Sequence, residues 1–215
     1  MLEGRTKKVG LIQTRGFGDT LTTMRGFKGT GLEEEEIKRF RTLVKQPPAV
    51  PRSLTEEVTE RVDYAGRVVC PLDEDDVRRA VARLRDAGAE VFAVSLLCSF
   101  ANDAHERRVG EIVAEEVPGA SVTLSAEFLP RIGEYERTLT TAVNAGLRPL
   151  LGASLDSFES TLAEAGLRTA PLLMQSGGGL ATRSRAASRS ARTTWAGTSA
   201  STTRSPSSPA SARTV

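Results

Sequence analysis

The run Val91-Phe-Ala-Val-Ser-Leu-Leu-Cys-Ser-Phe100 is apolar and uncharged along its whole length. A segment that apolar and that short predicts a strand covered on both faces, which needs a helical layer on each side of its sheet. The residues before it supply one such layer. Leu72-Asp-Glu-Asp-Asp predicts a cap leading into a helix from about Asp75 to Ala87, with Val77, Val81 and Leu84 on one face and Gly88 as its stop. A second helix follows from Ala101 to about Val117, with Val109, Ile112, Val113 and Val117 as its apolar stripe, and Pro118-Gly119 ends it. Helix, strand, helix at this spacing implies an α/β fold with a parallel or mixed sheet and flanking helices.

The outer segments extend the pattern. Val9 to Asp19 predicts a strand that breaks at glycine into a loop, and Leu32 to Phe40 a short helix with acids in its first turn, where the dipole favours them. Gln46 to Arg52 is extended because of its prolines. Leu54 to Val69 predicts a strand, a Tyr64-Ala65-Gly66 turn and a second strand. Ser121 to Ser125 is a further strand. Glu134 to Ala165 predicts two helices separated at Pro149 and Gly152, and Pro171 to Leu180 one more buried strand running into a glycine loop.

Several function classes are excluded by supply. The only histidine is His105, so a histidine-rich zinc site or a Ser/His/Asp triad has almost nothing to be built from, and no metal site is expected. Cys70 and Cys98 sit in apolar settings and predict free buried thiols, with a disulfide or metal pair as the alternative. No apolar run approaches the roughly 20 residues that span a bilayer, and the N-terminus lacks a signal-peptide core, so no membrane association is expected and the cytoplasm is the default address. The net charge of +2 misleads, because the six arginines after Ala181 face no acid there and leave 23 basic against 27 acidic residues before it. That stretch, 182–215, is rich in Ser, Arg, Thr, Ala and Pro and poor in aliphatic side chains. It predicts a disordered tail, or a coding region read out of frame. Without interleaved aromatics it gives no nucleic-acid partner.

Three places could carry chemistry. Glu134, Glu136 and Arg137 could hold a substrate amide or carboxylate, with Arg137 as the clamp and a Glu as general base, or could simply pair along a helix. His105 and Glu106 begin a helix just past the end of a buried strand, where α/β sheets place ligands, so His105 is an acid–base candidate or merely packs beside a capping Asn102 or Asp103. Gln175-Ser176-Gly177-Gly178-Gly179 follows a strand, so its N–H groups either line an anion pocket or form a plain turn. Gly16, Gly18 and Asp19 are a weaker version of the same case.

Six motifs in order carry a family resemblance over most of residues 1 to 181: Gly10-Leu-Ile-Gln-Thr-Arg-Gly-Phe-Gly-Asp-Thr-Leu, Glu60-Arg-Val-Asp-Tyr-Ala-Gly, Pro71-Leu-Asp, Ala93-Val-Ser-Leu-Leu-Cys-Ser-Phe-Ala-Asn-Asp-Ala-His-Glu, Glu134-Tyr-Glu-Arg and Met174-Gln-Ser-Gly-Gly-Gly. The chain resembles the hydantoinase/oxoprolinase family, which includes N-methylhydantoinases, 5-oxoprolinases and acetone carboxylase subunits. Met24-Arg-Gly and Gly31-Leu-Glu-Glu-Glu-Glu-Ile-Lys look more like the carboxylase branch. The resemblance implies an actin-like, ribonuclease-H-like ATPase ancestry, with 1–130 as an N-terminal-type α/β domain and 131–181 as the start of a core domain. It also implies ATP and Mg²⁺ as cofactors of an intact enzyme, a small-molecule substrate, a hydantoinase B-type or carboxylase partner subunit, Glu134, Arg137 and His105 as catalytic candidates, and Ser176, Gly177, Gly178 and Gly179 as nucleotide contacts. The family's Asp-x-Gly-Gly-Thr loop would lie upstream of Met1, and its second phosphate loop where the tail stands. The resemblance therefore implies a fragment that is inactive alone and binds no nucleotide by itself. The alternative is a non-catalytic α/β binding or regulatory module, or a broken-gene product.

Overall fold

A computed structural model describes residues 6–26, 33–38, 47–166, 171–174 and 179–182. Its centre is a four-stranded parallel sheet of β1 (Val9–Thr14), β2 (Thr55–Val58), β5 (Val91–Ser95) and β6 (Ser121–Leu124), in the order β2-β1-β5-β6. Between β2 and β5 lie a small antiparallel hairpin, β3 (Arg61–Val62) with β4 (Val68–Cys70), and helix α3 (Glu74–Asp86). Helix α4 (Ala104–Glu116) connects β5 to β6. The short α1 (Thr20–Thr23) and α2 (Glu34–Lys38) follow β1, α5 (Ser125–Phe128) follows β6, and the long α6 (Glu134–Glu164) precedes a two-stranded hairpin of β7 (Leu173–Met174) and β8 (Leu180–Ala181).

The apolar run behaves as its composition demands. All five residues of β5 are buried, and their alternation divides the core in two. Phe92, Val94 and Leu96 join Ile12 and Val58 under Val77, Val81 and Leu84 of α3 and Val109, Ile112 and Val113 of α4. On the other face, Val91 and Ala93 join Val9, Leu11 and Leu21 under Ala142 and Ala145 of α6. The small residues bring α6 in close. A Cβ on Gly146 would stand 3.2 Å from a Val9 methyl.

Asp73 caps α3 by accepting the Asp76 N–H at 2.9 Å. Asp76 in turn ends the sheet. Its carboxylate accepts from the Thr59 N–H and hydroxyl, each at 2.9 Å, while the Thr59 carbonyl takes the Asp73 N–H at 3.0 Å. Both backbone groups of Thr59 are thus committed to the head of α3. The stretch expected as one strand is therefore two, β2 in the main sheet and β3 in the hairpin.

Burial would raise the Asp76 carboxyl, but the hydrogen bonds from Arg15 and Thr59 outweigh it and hold the group below its ordinary value. A depressed folded-state pKa means stability that is complete above the unfolded value, about 3.9, and is lost as pH falls through the folded one. Acid titration of the melting temperature is expected to show that loss in the wild type and a shallower one in Asp76→Asn. Identical acid slopes would remove Asp76 from the account.

Two further expectations need correction. The region from Glu134 is one continuous 31-residue helix with Pro149 inside it. Proline deletes a single backbone bond, at a cost of about 3 kcal/mol, and the turns on both sides remain helical. The strand expected from Pro171 is not buried, since Leu172 and Met174 are 60% and 80% exposed and β7 pairs only with β8. Cys70 and Cys98 are free, as the first alternative had it, but half-buried.

Candidate functional site

The strand order reverses direction between β1 and β5, the point where parallel sheets open a crevice beyond their carboxyl ends. Thr14, the last residue of β1, stands there. Its hydroxyl oxygen accepts the Leu97 N–H at 2.8 Å, and its O–H donates to Glu60. The other oxygen of Glu60 meets Nδ1 of His105 at 2.8 Å. The Glu60 side chain is sealed from solvent, whereas the His105 ring keeps 12% of its surface open. The Glu60 side chain on Nδ1 fixes the ring and leaves Nε2 as the nitrogen open to another group.

Beside this pair is a buried carboxyl. Glu106 accepts the Leu96 N–H at 2.8 Å and the Ser125 hydroxyl at 2.6 Å on one oxygen, and the Ala126 N–H at 2.8 Å on the other. Complete burial pushes the group above the ordinary glutamate range, against the hydrogen bonds from Ser125, Ala126, Leu96 and Ser99. Arg137 reaches the same strand end from α6. Its Nη2 donates to the Leu96 carbonyl at 2.6 Å, and its guanidinium lies 5.6 Å from the Phe100 ring centroid. Burial pulls the guanidinium below its usual range, while the nearby Glu106 pulls it back up. Both polar groups of Leu96 are therefore held by buried ionisable side chains. Two residues on, the backbone of Cys98 has φ +56°, a left-handed conformation that is strained for a residue with a side chain.

A cleft of about 480 Å³ opens over these strand ends, lined by Ala65, Gly66, Ser99, Phe100, Asn102 and Asp103 among others. The hairpin turn forms its rim, where Asn102 donates to the Gly66 carbonyl at 2.9 Å.

The expected site residues are only partly brought together. His105 faces Glu60, and Asn102 rather than Asp103 accepts the Ala104 N–H of the helix start, at 3.1 Å. Arg137 neither faces open solvent nor pairs along its own helix; Glu136 binds Arg25 at 2.6 Å instead. Glu134 is exposed and lines a separate 250 Å³ pocket with Phe17, Asp19 and Tyr135. Gln175 to Gly178 lie outside the described residues, and Gly179 is exposed just before β8. Glu60 opens one of the six motifs yet is not among the expected site residues, because nothing in its local pattern distinguishes it from its neighbours Glu56 and Glu57.

The Gly16 and Gly18 N–H groups are taken by the Glu57 carboxylate at 3.0 and 2.9 Å, with Arg52 closing the pair at 3.1 Å. This turn carries its own anion. Among the described residues no group of three His, Cys, Asp or Glu side chains is placed to hold a metal ion, and no helix is long and apolar enough to cross a membrane.

Two sequence profiles match: one described as the hydantoinase/oxoprolinase N-terminal region over residues 1–117, and one described as hydantoinase/oxoprolinase over residues 137–207. The chain is 36% identical over 187 residues to the acetophenone carboxylase gamma subunit of Aromatoleum aromaticum, an alignment covering 84% of this chain and 26% of that one. A nucleotide-free acetone carboxylase, solved in a study of ATP-dependent acetone carboxylation, superposes with a TM-score of 0.79 at 34% identity, over 89% of this chain and 28% of that one. The ATP-dependent caprolactamase from Pseudomonas jessenii gives 0.75 at 32% identity, over 85% and 26%. The chain thus spans about a quarter of the length of these three relatives, 26% of the first of them.

Proposed function

The chain belongs to the hydantoinase/oxoprolinase family, and we propose that it supplies the α/β unit that handles the carbonyl substrate of an ATP-dependent enzyme. The carrying observation is the cleft past the strand ends, lined by Ser99, Phe100 and Asn102, together with the Glu60-held His105 and the Arg137–Leu96–Glu106 clamp, which belong to the same end of the sheet but not to that lining. ATP with Mg²⁺ is the cofactor set of this reading, and it is held by polypeptide outside the described residues. The chain alone is then inactive, and it works with a hydantoinase B-type or carboxylase partner subunit in the cytoplasm.

His105 acts as the acid–base group, moving a proton through Nε2 while Glu60 keeps Nδ1 occupied. Arg137 is a positioning residue: buried at 2% exposure, it fixes the Leu96 peptide rather than touching the ligand. Glu134, at the rim of its own pocket, is open to a ligand or to the partner. The substrate is a small ketone, which the likeness to carboxylase subunits supports. Hydrolysis of a cyclic amide of the hydantoin or 5-oxoproline type is the second reading, which the likeness to caprolactamase supports.

The test is ATP turnover by the chain purified with the polypeptides that accompany it in its own cells. Simple ketones with bicarbonate are expected to stimulate ADP release, and lactams, hydantoin and 5-oxoproline to do so on the second reading. Stimulation by none of them would overturn the proposal in favour of a non-catalytic module. The isolated chain is expected to bind no ATP at micromolar concentrations in calorimetry.

A further inference from the structure

The Glu106 carboxyl would be complete as a structural pin with the Leu96 and Ala126 amides alone. It has more than these. The Ser125 hydroxyl lies 2.6 Å from Oε1, the Ser99 hydroxyl lies 3.3 Å from that of Ser125, and Ser99 lines the 480 Å³ cleft. Each of the three side chains is buried, so the hydroxyls form a line from a sealed carboxyl to the cleft wall.

We propose that Glu106, Ser125 and Ser99 are a proton relay that ends in the cleft at Ser99 and serves a ligand with a basic oxygen or nitrogen. In the delivering direction, the Glu106 O–H gives its proton to the Ser125 oxygen. Ser125 passes its own to Ser99, and Ser99 gives its own to the ligand atom. One carboxyl becomes a carboxylate, the ligand gains one proton, and both hydroxyls are restored. The reverse sequence takes a proton away. The groups facing the carboxyl suit both states: the Leu96 and Ala126 amides and the Arg137 guanidinium favour the anion, whereas burial favours the acid. The use of the relay on a carbonyl compound rests on the function proposed above, but its existence does not.

The experiment is therefore infrared spectroscopy of the full chain without substrate. A protonated-carboxyl C=O band is expected to persist above the ordinary glutamate pKa of about 4.3, to move in Ser125→Ala, and to vanish in Glu106→Gln where that variant folds. In D₂O the wild-type band is expected to shift promptly. In Ser99→Ala, which leaves Glu106 and its amide donors in place, the shift is expected to slow about tenfold or more, because exchange then waits for local opening. Absence of the band, or exchange in Ser99→Ala as fast as in the wild type, would overturn the relay. Neither outcome depends on whether a ketone stimulates ATP turnover.

Discussion

Glu106→Ala is expected to lose about 3–5 kcal/mol of folding stability, from two buried backbone N–H groups and a serine hydroxyl left without their acceptor, at roughly 1–3 kcal/mol per group. That is a large share of the roughly 5–15 kcal/mol a domain commonly has. The groups it frees belong to Leu96, just past β5, and to Ala126 in α5, so the loss falls where two strand ends are joined. Glutamine rescues only in part. Each carboxyl oxygen meets a backbone N–H, so the amide NH₂ must face a donor whichever way it is turned. Urea denaturation at neutral pH measures both variants. An alanine variant within about 1 kcal/mol of wild type would mean that water replaces the carboxyl, and that its burial is less consequential than the geometry implies.

His105→Asn is expected to lower turnover of the assembled enzyme about 10²–10⁴-fold, the usual worth of a positioned acid–base group, while leaving the melting temperature near that of the wild type. Asparagine keeps a nitrogen where Nδ1 meets Glu60 and removes the nitrogen at the far side of the ring. The substitution thus separates the two ring positions. Turnover within about threefold of wild type would reduce His105 to a packing residue. A loss confined to KM would make it a binding group instead of a proton carrier.

The parts of this molecule that were legible in its sequence are those written in short periods. Val77, Val81 and Leu84 recur at helical spacing, and the structure buries all of them against the sheet. The apolar run from Val91 gave the parallel sheet and its two helical layers, and its end gave the position of His105. What stayed hidden depends on partners distant in the chain. Thr59 breaks its strand because Asp76, 17 residues later, takes its N–H. Glu60 becomes a histidine partner across 45 positions, and Arg137 finds the Leu96 carbonyl across 41. Pro149 failed as punctuation for a different reason: one missing bond is a local cost, and a helix already long on both sides can absorb it.

That same proline has a mechanical consequence. At 1.5 Å per residue, α6 is a rod of about 46 Å, whereas β1, the longest strand beneath it, has six residues and reaches only about 20 Å. The first half is seated on the sheet, with Thr138 meeting Ser95 at 2.8 Å and Arg137 meeting Leu96. The second half is an arm with most of its residues open to solvent and Leu155 as its buried exception. Pro149 sits between seat and arm. A bending load on the arm is taken up first at that softened turn, so the rod yields in its middle before it can lever Arg137 off the strand end.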